Sequence, residues 1–212
     1  MKTTKLKCLT VLFLLSLLSL SFSGCLSEND INTISALDGR RIADEIAKDW
    51  KEDARLIEIA SFGGSNNGEF EKWRYVYFSP SDNITEDNTT KFNSIGIFVK
   101  GNEEIDKFDK NYIRYHYHES IKNWAIDSDE AVEIAKQEPL IESYLDEYSR
   151  ASLGMTLMMW ERLPDGRENP NRDSATWSIG WEYMGGMFED PAHARVFINA
   201  NTGDVLYVDA DK

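Results

Sequence analysis

The chain has 212 residues, with 23 basic against 37 acidic side chains and a formal net charge of −14. That balance excludes a basic surface for nucleic acid and disfavours close contact with anionic headgroups. It suits a well-solvated domain, and the length allows one domain, or two small ones, with a real core.

The first element is a leader. Lys2, Lys5 and Lys7 form a positive n-region, and Leu9 to Leu20 is an apolar stretch rich in leucine. Ser21, Ser23 and Gly24 then lead into Cys25. This is the layout of a secretory signal, too short to serve as a membrane span. A cysteine directly after small residues resembles the bacterial and archaeal lipoprotein signal, the lipobox, here with Phe22 where leucine is usual. The resemblance implies residues 1–24 as a cleaved signal and a diacylglycerol on the Cys25 thiol. The other reading is a secreted or signal-anchored protein with a spare thiol. Cys8 leaves with the signal, so the mature chain has no disulfide and no thiolate metal site. Two acyl chains hold a protein firmly. The expected address is the cell membrane, lipid-anchored through Cys25 and facing outside the cytoplasm.

Residues 25–36 read as a tether. Ile42, Ile46 and Trp50, with Ala43 and Ala47 beside them, make a helical apolar stripe that Asp38 is placed to cap. Leu56 to Ala60 is a strand candidate and residues 62–70 a loop. Trp73, Tyr75 and Tyr77 alternate as in a strand. Residues 81–90 form a polar loop. A hairpin over 93–108 turns near Gly101-Asn102, and 111–118 is a further aromatic strand.

From residue 125 a similar order begins again. Asp127 with Glu130 forms an acidic capping box. Ala131, Ile134 and Ala135 make a first apolar patch, Pro139 interrupts or restarts the helix, and Ile141, Tyr144, Leu145 and Tyr148 continue the stripe. Residues 153–163 are a strand candidate and 164–173 a loop. Trp177, Ile179, Trp181 and Tyr183 alternate, and 194–209 form two strands around Asn201-Thr202-Gly203-Asp204.

The segment IDSDEAVEIAK, a Trp-bearing strand, and ARVFINANTGDVLYVD together resemble a PepSY domain over residues 125–212. Gly203 supplies the positive φ of the last hairpin tip, with Asn201 and Asp204 hydrogen-bonding locally. Residues 37–120 match in layout only, with Lys100-Gly101-Asn102 in place of the Thr-Gly turn. The expected fold class is therefore α+β: tandem PepSY-like units, 37–120 and 125–212, each an amphipathic helix packed on its own antiparallel sheet. The family occurs in propeptides of thermolysin-like peptidases and in envelope-anchored proteins. The resemblance thus implies a non-catalytic binding or regulatory module with a protein or peptide partner, a peptidase among the candidates.

Sites of chemistry are few. There is no His-Glu-x-x-His, no Gly-x-Ser-x-Gly and no phosphate-binding glycine loop. His116 and His118 would share one strand face as a two-nitrogen clip, with Glu119 or His193 as third ligand; the plainer reading is an exposed strand face. Glu103-Glu104-Ile105-Asp106 and Asp209-Ala210-Asp211 match no calcium-loop spacing. No catalytic, cofactor or metal site is expected, and a hydrolase is disfavoured. The alternating aromatics are either core beneath a helix or, at Trp73, Tyr75, Trp177 and Trp181, a stacking face. The second reading makes an envelope protein binding a sugar or peptide, with the 184–188 loop able to close over it. Asn83 and Asn88 head two N-glycosylation sequons.

Overall fold

The period-two segments form eight antiparallel strands of a single sheet in a computed structural model that describes residues 33–64, 67–86, 89–101, 103–114, 120–185 and 191–211. Helix α1 spans Ala36–Trp50 and is followed by β1 (Arg55–Gly64), β2 (Lys72–Glu86), β3 (Thr89–Lys100) and β4 (Glu103–Arg114). Helices α2 (Ser128–Lys136) and α3 (Pro139–Glu147) precede β5 (Ser152–Met159), β6 (Ala175–Tyr183), β7 (Ala192–Asn199) and β8 (Val205–Asp211). The leader, Cys25 and the tether up to residue 32 lie outside the described residues.

The strand order is β4-β3-β2-β1-β5-β6-β7-β8. This corrects the expected fold class. The chain does not build tandem helix-on-sheet units, because β1 pairs with β5 from Glu58↔Met158 to Gly64↔Leu153 and fuses all strands into one sheet. The core is likewise continuous across that seam: Trp73 of β2 and Trp177 of β6 lie 6.2 Å apart between ring centroids. Pairing β1 with β5 removes two strand edges that separate units would leave open.

The helix starts are tied together. Ser35, not Asp38, is the N-cap of α1, accepting from the Asp38 amide at 3.2 Å. Asp127 caps α2 as expected, accepting from the Ser128 amide at 2.7 Å. The same Asp127 Oδ1 accepts from the Leu37 amide at 3.1 Å, and Ser128 Oγ accepts from the Ala36 amide at 3.0 Å. The start of α2 therefore satisfies free N–H groups of α1 as well as its own, which explains why Ser35 and not Asp38 opens α1. Pro139 restarts the helix, standing at the first turn of α3.

Helix α1 buries its alanine side most deeply. Ala36, Ala43 and Ala47 are fully buried, while Ile42, Ile46 and Trp50 pack around the core's margin. Gly39 permits the approach, since a Cβ there would lie 2.4 Å from Tyr75 Oη.

Residues 81–90 are not the expected loop. Strands β2 and β3 run on to Glu86 and Thr89, with Asn83↔Phe92 and Thr85↔Thr90 in register. The register shifts between Phe78 and Asn83, where Asp53 accepts from Ser79 Oγ and the Ser81 amide, both at 2.7 Å. At the last hairpin Gly203 has φ +76°. The turn is held by Asn199 Oδ1, which accepts from the amides of Asn201 and Thr202, and by Thr202 Oγ1 donating to Asp204. Asn201 thus serves the turn through its backbone.

Candidate functional site

The aromatic positions proposed as a stacking face are core. Trp73, Tyr75, Trp177 and Trp181 are each 0% exposed. All four lie on the sheet face that the helices cover, so no ligand reaches them. Their polar atoms are satisfied from within: the Trp73 and Trp177 indoles donate to the carbonyls of Ile34 and Ile126, each at 2.8 Å. Tyr75 Oη donates to the Ala36 carbonyl at 2.7 Å. Tyr77 donates to Asp44 at 2.7 Å, and Arg40 holds the other oxygen of Asp44 at 3.2 Å. Burial pushes the Tyr75 and Tyr77 phenols up, so both stay neutral donors.

The other sequence candidates do not converge. His116, His118 and Glu119 lie outside the described residues, as does Asn88. His193 stands on β7 with Asp211 at 3.4 Å. Among the described residues no three His, Cys, Asp or Glu side chains assemble into a metal set. Asn83 is exposed on β2, its amide donating to the Pro80 carbonyl at 2.7 Å. Met184 is 80% exposed, and residues 186–188 of that loop lie outside the described ones.

The concave chemistry is on the opposite, open face of the sheet, where a trough of about 670 Å³ runs along β5 and β6. Its floor is made of small residues. Gly154 pairs directly with Gly180, and Thr156 with Ser178. Phe62 of β1 stands at one end, 71% exposed, with its ring over Gly154 at 3.0 Å from where a Cβ would sit. Trp160 and Phe197 close the other end in an edge-to-face pair, 5.0 Å between centroids. The Trp160 indole N–H is buried there without a hydrogen-bond partner. Along the sides stand Glu58, Glu182 and Arg195, and Glu58 is already ion-paired with Arg74.

A second, more polar cavity of about 360 Å³ lies at the far end of the sheet, between Arg55, Lys122, Asp173 and Asn201. Beside it the linker is pinned by Arg40, which donates to the Lys122 carbonyl at 2.9 Å and stacks over Trp124 at 4.7 Å.

None of the trough residues was singled out as a ligand contact in the sequence. The available signal was glycine inside strand patterns at positions 154 and 180, which marks a close approach or an uncovered floor. Pairing across the sheet, which local patterns do not report, brings the two together with Phe62 and Arg195.

No family model and no curated protein matches the chain. Among solved structures it is similar to the crystal structure of a candidate lipoprotein from Clostridium difficile 630. The identity is 14%, over 82% of this chain and 93% of that one, with a TM-score of 0.46. Among the described residues no helix is long and apolar enough to cross a membrane.

Proposed function

We propose that this chain is a membrane-anchored extracytoplasmic lipoprotein whose domain is a non-catalytic binding module. The observation that carries the address is Gly24-Cys25 at the end of a leucine-rich h-region. The binding role is supported by the open-face trough. It gathers aromatic ends, hydroxyls and both signs of charge, a combination suited to recognition.

A finer reading, a PepSY-type module directed at a peptidase, draws on residues 125–212. Asp127 at the cap and Thr202-Gly203-Asp204 at the closing turn are the residues that carry the likeness. These residues specify backbone geometry, so they speak for a kind of fold and leave the partner open.

The address is tested by intact mass of protein purified from its own membranes, beside a Cys25→Ala variant. The expected result is an N-terminus at Cys25 bearing diacylglycerol, absent from the variant; an unmodified Cys25 overturns the anchor. The peptidase reading is tested by assaying an extracellular metallopeptidase with and without the protein. Unchanged activity at saturating protein counts against it.

A further inference from the structure

We propose that the trough on the open face binds a neutral oligosaccharide. This names a ligand class for the binding reading above and rests on it.

The first argument concerns what the floor offers. Strands β5 and β6 are interior, each paired on both sides. Their main-chain groups are therefore committed, and an extended peptide finds no strand edge to augment here. What remains is side-chain chemistry: the hydroxyls of Ser152, Thr156 and Ser178 among the residues that line the trough. Such a surface pairs with hydroxyls.

The second argument is charge. Arg195 lines the trough together with two carboxylates, Glu58 and Glu182, and Glu58 is already held by Arg74. The trough thus carries donors and acceptors of both signs with little net charge. A polyanion meets the two acids, and a polycation meets Arg195. A neutral ligand rich in hydroxyls pairs with all of them.

The third argument is shape. The trough runs from Ser152 to Met158 along β5, roughly 20 Å at the rise of a strand. An apolar ring stands at either end, Phe62 and Trp160. Sugar rings present apolar C–H faces that stack on aromatics, while their equatorial hydroxyls point sideways. A chain of such rings matches aromatic ends joined by a hydroxyl-lined floor. Gly180 keeps the floor open across from Phe62: a Cβ there would meet only the Ala194 carbonyl oxygen, at 3.8 Å.

That open glycine supplies a clean variant. Gly180→Val raises the floor, its Cβ meeting nothing nearer than the Ala194 carbonyl oxygen, and a β-branched residue suits an interior strand. Phe62→Ala removes the exposed end ring. The experiment uses the full-length protein in a detergent with a non-sugar headgroup. It is titrated calorimetrically with cellotetraose, chitotetraose and mannotetraose, with an oligolysine and an oligoglutamate peptide as charged comparisons. The expected result is saturable binding of at least one tetrasaccharide. That binding weakens by about tenfold or more in each variant, while the melting temperature of Gly180→Val stays with the parent. Three results overturn the proposal: no tetrasaccharide binds, binding survives both variants, or a charged peptide binds in their place. In the last case the binding-module reading stands and only the ligand class falls. The mass of Cys25 bears on the address alone.

Discussion

Along β6, neighbouring residues live in two environments. Trp177, Ile179 and Trp181 are fully buried beneath the helices, whereas Ser178 and Gly180, between them, line the floor of the open trough. The same contrast runs across the seam, where Leu153, Met155 and Leu157 of β5 are buried and Gly154 and Thr156 are half-buried. The covered face spends its large side chains on a shared core. The open face keeps small ones along β5 and β6, so that the surface is concave there. The proposed recognition face and the rigid core thus lie on opposite sides of the same backbone.

The largest effect expected from this division is Trp177→Ala. It removes a fully buried indole and its hydrogen bond to Ile126, and should cost about 3–5 kcal/mol in chemical denaturation. A loss below about 1 kcal/mol would show that the face is less tightly packed than its burial implies.

Gly39→Ala is next. Alanine favours a helix by up to about 1 kcal/mol over glycine, yet its Cβ would collide with Tyr75 Oη. A net loss of about 1–2 kcal/mol is expected. A Tyr75→Phe background, which deletes the colliding oxygen, should shrink it; equal losses in both backgrounds would place the strain elsewhere.

Asp127→Ala should cost about 1–2 kcal/mol, and Ser35→Ala less, because one Asp127 oxygen serves both helices. Equal losses on thermal melting would mean that the α1–α2 link adds nothing to an ordinary cap.

Acid separates two aspartates of opposite sign. Burial tends to raise Asp53, but hydrogen bonds from Ser79 and Ser81 outweigh it and hold the carboxyl below its ordinary range. Its stabilisation is present above that range and lost as pH falls through the depressed value. Asp127 is raised, chiefly by burial. The folded state therefore takes up that proton more readily, and its contribution improves on acidification. Asp53→Asn should flatten the acid fall in melting temperature, and Asp127→Asn should steepen the loss at the less acidic side. Parallel profiles for the two variants would contradict this assignment.

Smallest on stability is Gly180→Val, expected within about 0.5 kcal/mol of the parent. A large loss would mean that the open face is packed after all.

Much of the local structure is legible in the chain. The alternation Trp177-Ile179-Trp181 announces a strand with one buried face, Asp127 announces a cap, and Pro139 a helix start. Other features needed context. Asp38 and Ser35 are both capable N-caps, and contacts with Asp127 and Ser128 from 90 residues away decide between them. Residues 81–90 read as a loop because their side chains are polar, but the ladder continues through backbone groups that polarity does not report.

By itself the sequence determined the periodicity of the strands, the Asp127 cap and the helix start at Pro139, since each depends on residues within a few positions of one another. Only the tertiary structure decided that β1 and β5 meet, that the tryptophans of both halves share one core, and that Phe62, Gly154, Gly180 and Arg195 converge on a trough. The physical reason is that strand pairing joins residues a hundred positions apart through main-chain hydrogen bonds common to every residue. Which edges find each other is settled by burying the whole helix-side face at once.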